Sequence, residues 1–166
     1  MKSNNSVSLT DLLSPARINL NLKSSDRDTV LAELVDQIPE LANEPAAQET
    51  LLRALHEREK LHSTGIGDGI ALPHARNALV GMVNDPVIVV GRHTDGIAFG
   101  ALDSIPVRLF FLLVAPTVTQ HLAILARLSR LLRDPRLVQK LLTAEKPETV
   151  IAVVREAEKA LLPKQM

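Results

Sequence analysis

Between residues 63 and 76 the chain reads Ser63-Thr64-Gly65-Ile66-Gly67-Asp68-Gly69-Ile70-Ala71-Leu72-Pro73-His74-Ala75-Arg76. Glycine at every second position marks a turn or bulge cluster, where the backbone needs freedom or close approach. The apolar stretch Ile70-Ala71-Leu72 then reads as a strand. Pro73 removes an N–H and fixes φ, so the chain cannot turn into a helix at once and His74 is held in extended backbone. A strand in this place excludes two nucleotide-binding readings. The dinucleotide fingerprint needs a helix after its glycines, and a phosphate-binding P-loop needs Gly-Lys-Ser/Thr, which is absent. The segment delivers a histidine to the end of an apolar strand, beside backbone that glycine leaves open.

The rest of the chain alternates strands and helices. Ile18, Leu20 and Leu22 have the period of a half-buried strand. Ser25 is read as an N-cap with Asp28 three residues later, opening a helix through Val30, Leu31, Leu34, Val35 and Ile38 that Pro39 ends. Pro45 opens the next helix, with Leu51, Leu52, Leu55 and Leu61 apolar. Val87 to Val90 and Val107 to Val114 are buried strands by composition, with a short strand expected between them at Gly96 to Gly100. Thr117 or Thr119 caps a helix through Arg133 whose inner face is Leu122, Leu125, Leu128 and Leu132. Asp134-Pro135 opens a short helix and Pro147 the last one. This order predicts a layered α/β domain.

At 166 residues the chain fits one domain. Its 19 basic and 19 acidic side chains balance without a block of either sign, which argues against a nucleic-acid surface. It has no cysteine, so disulfide and thiol chemistry are excluded. The amino terminus lacks a signal-peptide core, and the apolar run Leu109 to Ala115 is too short to cross a bilayer. A cytoplasmic location with no membrane insertion is expected.

Chemistry centres on His74. Imidazole titrates near neutrality, at about 6.5, so a neutral nucleophilic nitrogen is available. Such a group can take and hand on a phosphoryl group, and arginine together with free backbone N–H groups can balance the phosphate charge. His121 falls in the first turn of a helix, where the dipole disfavours an imidazolium and keeps the ring neutral. Arg58 and Arg76 are the cationic candidates. Ser63 and Thr64 are either hydroxyl donors to phosphate or caps of the preceding helix. Glu57, Glu59 and Lys60 read as helix surface, and His56, His62 and His93 as surface or loop. No histidine pair has His-x-x-x-His spacing, and no acids cluster around His74. Neither a metal nor a cofactor is expected.

The run Ser-Thr-Gly-Ile-Gly-x-Gly-Ile-Ala-x-Pro-His resembles the active-site segment of enzyme IIA of the bacterial phosphoenolpyruvate:sugar phosphotransferase system, fructose/mannitol type. The nitrogen-regulatory branch is the most similar. The resemblance spans roughly residues 8 to 160. Asp68 stands where Asn or Glu is common, and Ala75 where Gly is usual. The resemblance implies a mixed central β-sheet flanked by α-helices in a domain over residues 8–162, after a disordered tail at 1–7. It implies that His74 is the phosphorylated residue, that His121 is a second active-site histidine, and that Arg58, 16 residues before His74, contacts the phosphoryl group. It further implies a histidine-phosphocarrier protein as donor. Downstream it implies either a regulatory target protein or a IIB subunit of a fructose/mannitol-type sugar permease. The sequence leaves the oligomeric state open.

Overall fold

The computed structural model describes residues 8–77, 79 and 81–161; the expected tail at 1–7 and residue 162 lie outside them. Two short 3-10 turns lead into β1 (Ile18–Asn19), followed by α1 (Arg27–Val35) and, after a third such turn, α2 (Pro45–Leu61). The glycine run forms β2 (Gly65–Gly67) and β3 (Ile70–Ala71). Two long strands, β4 (Val87–Ile97) and β5 (Val107–Val114), precede α3 (Val118–Leu131), α4 (Pro135–Thr143) and α5 (Pro147–Leu161). The strands make one mixed sheet in the order β1-β4-β5-β3-β2. β1 lies parallel to β4 and β3 parallel to β5, while the β4–β5 and β2–β3 pairs are antiparallel.

The first half of β4, Val87–Val90, and all of β5 except Arg108 are apolar because both faces of the sheet are covered there, whereas β4 turns polar and more exposed from Arg92 to Gly96. Ile88, Val90, Leu109, Phe111 and Leu113 join the apolar side chains of α3, α4 and α5. Their neighbours Val87, Val89, Phe110, Leu112 and Val114 face the other way, onto α1 and α2. The result is the expected α/β domain with a mixed central sheet flanked by helices.

Local signals differ from the sequence reading in several places, among them β1, which ends at Asn19 rather than running on to Leu22, and α3, which ends at Leu131 rather than Arg133. The N-cap of α1 is Asp26, whose carboxylate accepts from Thr29 N–H at 2.9 Å, so Ser25 lies outside the helix. The helix also stops at Val35, before Ile38. No separate strand forms at Gly96 to Gly100, and residues 98–100 lie in no strand: Gly96 and Ile97 end β4, whose register shifts between Arg92 and Ile97, where Gly96 has φ of +89°. A side chain there would press into Pro106 Cβ at 2.7 Å, so the bulge admits only glycine. Finally, the buried stripe of α3 is His121, Ile124, Leu128 and Leu131, and Leu122 faces outward.

Candidate functional site

Strand alternation aims His74. Ile70 and Leu72 pack into the α3–α5 side of the core, while Ala71 between them belongs to the α1–α2 side. The pairing with β5 continues past Pro73, whose carbonyl accepts from Leu113 N–H at 3.0 Å, and His74 forms a parallel bridge with Leu113. His74 thus follows the same alternation as Ile70 and Leu72, toward α3. There it meets His121 edge-on, with ring centroids 5.4 Å apart and planes at 66°.

The hydrogen-bond geometry sets the tautomer. His74 Nδ1 lies 2.6 Å from the Leu72 carbonyl oxygen. A carbonyl only accepts, so Nδ1 carries the proton and the neutral ring has its lone pair on Nε2. Burial pushes the His74 pKa below its ordinary value, outweighing the Leu72 bond that raises it; the charge of Arg58 and the adjoining His121 lower it further. His121 is lowered as well, by burial. Both rings are therefore neutral at pH 7. The sequence reading attributed a neutral His121 to the helix start, whereas its cause in the fold is its place on the buried stripe of α3.

Arg58, in the last turn of α2, is half-buried and donates from Nη1 to the His62 carbonyl at 2.7 Å. Its charge is one of the smaller influences that lower the His74 pKa. Arg76 is exposed. The two hydroxyl candidates are already committed. Ser63 Oγ donates to the Phe99 carbonyl at 2.9 Å, and Thr64 Oγ1 donates to Glu59. Neither has a hydrogen left for phosphate. Asp68 and Gly69 form the β2–β3 turn with φ of +57° and +80°, the backbone of a type I′ hairpin for which Asp-Gly is suited. The Asp68 side chain is exposed, and its N–H is held by Asp103 Oδ2 at 2.9 Å.

Among the other histidines, His56 lies beside Asp28 at 3.4 Å and His93 Nδ1 accepts from Gly96 N–H at 3.0 Å, away from the pair. His62 is the exposed C-cap of α2. Glu57 and Lys60 are exposed as read, but Glu59 is not: it is buried, at 4% exposure. Among the described residues, no group of three or more His, Asp or Glu is placed to hold a metal ion, and no helix is long and apolar enough to cross a membrane. Exposed apolar side chains include Val118 and Leu122 on α3, the helix of His121, Leu61 at the end of α2, and Ile66 on β2.

The model of the family "Phosphoenolpyruvate-dependent sugar phosphotransferase system, EIIA 2" matches residues 11–157. The chain belongs to this EIIA family. A nitrogen regulatory protein of Bradyrhizobium diazoefficiens is 35% identical over 150 residues, covering 88% of this chain and 94% of that protein. The fructose-specific EIIABC component of Bacillus subtilis is also 35% identical, over 158 residues; the match covers 92% of this chain but 24% of that longer protein. Among solved structures, nitrogen regulatory protein IIA-Ntr of Neisseria meningitidis superposes with a TM-score of 0.77 at 27% identity, covering 88% of this chain and 98% of that one. The mannitol IIA of Escherichia coli shares the fold, with a TM-score of 0.72 at 22% identity, over 86% and 98% of the two chains. EIIA proteins are phosphocarriers, and this chain has their fold and domain.

Glu59 departs from the surface position expected of it. Glu59 follows Arg58 directly and was assigned to the helix surface with Glu57 and Lys60. Its signal was helical spacing, since Glu59 falls four residues after the buried Leu55 and eight after Leu51.

Proposed function

We propose that His74 accepts a phosphoryl group on Nε2 from a histidine-phosphocarrier protein and that the EIIA chain acts as a nitrogen-regulatory component. The observation that carries this reading is the Nδ1–H to Leu72 bond at 2.6 Å, which leaves the Nε2 lone pair free in a ring kept neutral by burial. In the transfer, that lone pair attacks the phosphorus of the donor phosphohistidine. A P–N bond forms to His74 as the donor's P–N bond breaks, and the electron pair returns to the donor imidazole. No proton needs to leave His74. Its ring gains positive character, which the Leu72 carbonyl stabilises through Nδ1–H. Arg58 balances the charge of the phosphoryl oxygens, and His121 supplies a neutral hydrogen-bonding partner beside them. Alignment and charge balance suffice for such an exchange, so no metal or nucleotide is assigned.

The exposed Val118, Leu122, Leu61 and Ile66 supply an apolar rim for the carrier. The regulatory role follows the relatives named nitrogen regulatory protein, which this chain matches over most of their length. Likeness to the fructose-specific EIIABC component supports a second reading, transfer to a IIB subunit of a fructose/mannitol-type permease. On either reading the protein works in the cytoplasm. Incubating the chain with phosphoenolpyruvate, the first enzyme of the system and the carrier should add one acid-labile phosphate. Full labelling of His74→Ala would end the acceptor assignment, and rapid discharge of the phosphorylated chain to a fructose IIB would favour transport over regulation.

A further inference from the structure

A carboxylate removed from water must find donors. Glu59 finds both in one residue. Thr64 N–H donates to Oε1 at 3.0 Å, and the Thr64 hydroxyl donates to Oε2. Just before it, Arg58 holds the His62 carbonyl. Two adjacent side chains from the last turn of α2 thus fix the path by which the chain leaves the helix, with His62 fully extended at φ −173° and ψ 157°. That path presents the Thr64 carbonyl to Leu72 N–H, which donates to it at 3.0 Å. The carbonyl of the same Leu72 accepts from His74 Nδ1–H. An unbroken series of contacts therefore runs from the Glu59 carboxylate through Thr64 and Leu72 to the ring proton.

We propose that Glu59 is a positioning residue for phosphoryl transfer, holding through Thr64 the Leu72 carbonyl that sets the orientation and tautomer of His74. The assignment rests on His74 being the phosphoryl acceptor. Glu59 works by geometry, reaching the ring only through Thr64 and the Leu72 carbonyl, while burial and the Arg58 charge depress the His74 pKa. It also explains why this segment places arginine and glutamate side by side. One side chain serves the phosphate, and the other fixes the strand that aims the nucleophile.

The test compares the full-length parent with Glu59→Ala, Glu59→Gln and Thr64→Val. Ring nitrogen shifts of the unphosphorylated proteins report the His74 tautomer, amide exchange reports the Leu72 bond, and rapid quench gives the rate of transfer from the phosphorylated carrier. The parent should be Nδ1–H. In Glu59→Ala the ring should shift toward Nε2–H and Leu72 exchange should quicken. Leu113 N–H, bonded to the Pro73 carbonyl, should stay protected, which separates the effect from unfolding. Transfer should fall about tenfold or more, as expected when a reacting group is misplaced by a fraction of an ångström to an ångström. Glu59→Gln keeps an acceptor for Thr64 N–H and an amide for its hydroxyl, so it should restore both tautomer and rate. If Glu59→Ala does not fold, Thr64→Val, which retains the N–H contact alone, should show the same changes in smaller measure. Parental tautomer and rate in the folded variants would overturn the proposal, as would a shifted tautomer with an unchanged rate. The ring readout needs no phosphate, so labelling of His74→Ala would remove the acceptor assignment without altering what the Glu59 variants report about the ring.

Discussion

Replacing Arg58 by alanine separates three effects that the structure assigns to one side chain. The first is stability. Arg58 donates one hydrogen bond to the His62 carbonyl from a half-buried position, so its loss costs about 0.5–1.5 kcal/mol. The second is the proton equilibrium of His74. The Arg58 charge is one of the influences that hold this pKa down, so Arg58→Ala should move it up, though burial keeps it below the ordinary imidazole value. The third is transfer. A charge-assisted hydrogen bond to the phosphoryl oxygens contributes about 1.5–3 kcal/mol. At tenfold per 1.36 kcal/mol, losing it slows phosphorylation by about 10- to 150-fold. Rapid-quench single turnover from the phosphorylated carrier measures the rate, and a proton NMR titration measures His74. Arg58→Lys should return the pKa close to the parent while leaving transfer impaired, because an ammonium lacks the planar fork. A parental rate and an unmoved His74 titration in Arg58→Ala would refute the placement of this charge at the site.

Three further outcomes follow from the same geometry. His74 and His121 both have pKa values lowered on folding, so the unfolded chain binds more protons; stability should be full above the unfolded value of about 6.5 and fall as pH drops through and below it. Urea unfolding at stepped pH should show this loss, and His74→Gln with His121→Gln should flatten it. Glu158 is buried and accepts from Leu9 N–H at 2.7 Å, Thr10 N–H at 2.8 Å and two hydroxyls, fastening the first turn of the chain to α5. Glu158→Ala strands two backbone donors at about 1–3 kcal/mol each, so calorimetry should record a fall in Tm of about 5 °C or more. Asp68 holds φ of +57°, which asparagine tolerates and a β-branched residue does not; Asp68→Asn should leave stability within about 0.5 kcal/mol, and Asp68→Val should cost about 1–3 kcal/mol by chemical denaturation.

Much of the layered architecture was legible because proline and hydrophobic runs punctuate this chain clearly. Pro45, Pro135 and Pro147 open three helices where expected, and β5 occupies the predicted Val107–Val114. Boundaries failed where two residues of similar capping chemistry compete, as Ser25 and Asp26 do, and where a bulge mimics a break, as at Gly96. Strand order was not legible, since parallel pairing of β3 with β5 joins segments more than 30 residues apart and leaves no local mark. At the site, the glycine run located His74. On the inner face of α3, Leu125, Leu128 and Leu132 pack on the core as expected, and only Leu122 was misplaced, because a leucine at helical spacing outweighed the adjacent histidine. In the fold, His121 takes the first place on the buried stripe and Leu122 the outside. Glu59 was missed for a related reason: a charged residue among charged neighbours reads as solvated until its partner, five residues on, is seen.

The most direct measurement of the central claim is phosphorus–nitrogen coupling in the phosphorylated, ¹⁵N-labelled chain. The account predicts one phosphorus resonance coupled to Nε2 of His74, with Nδ1 still protonated against the Leu72 carbonyl. Coupling to Nδ1 of His74, or to a ring nitrogen of His121, would contradict it.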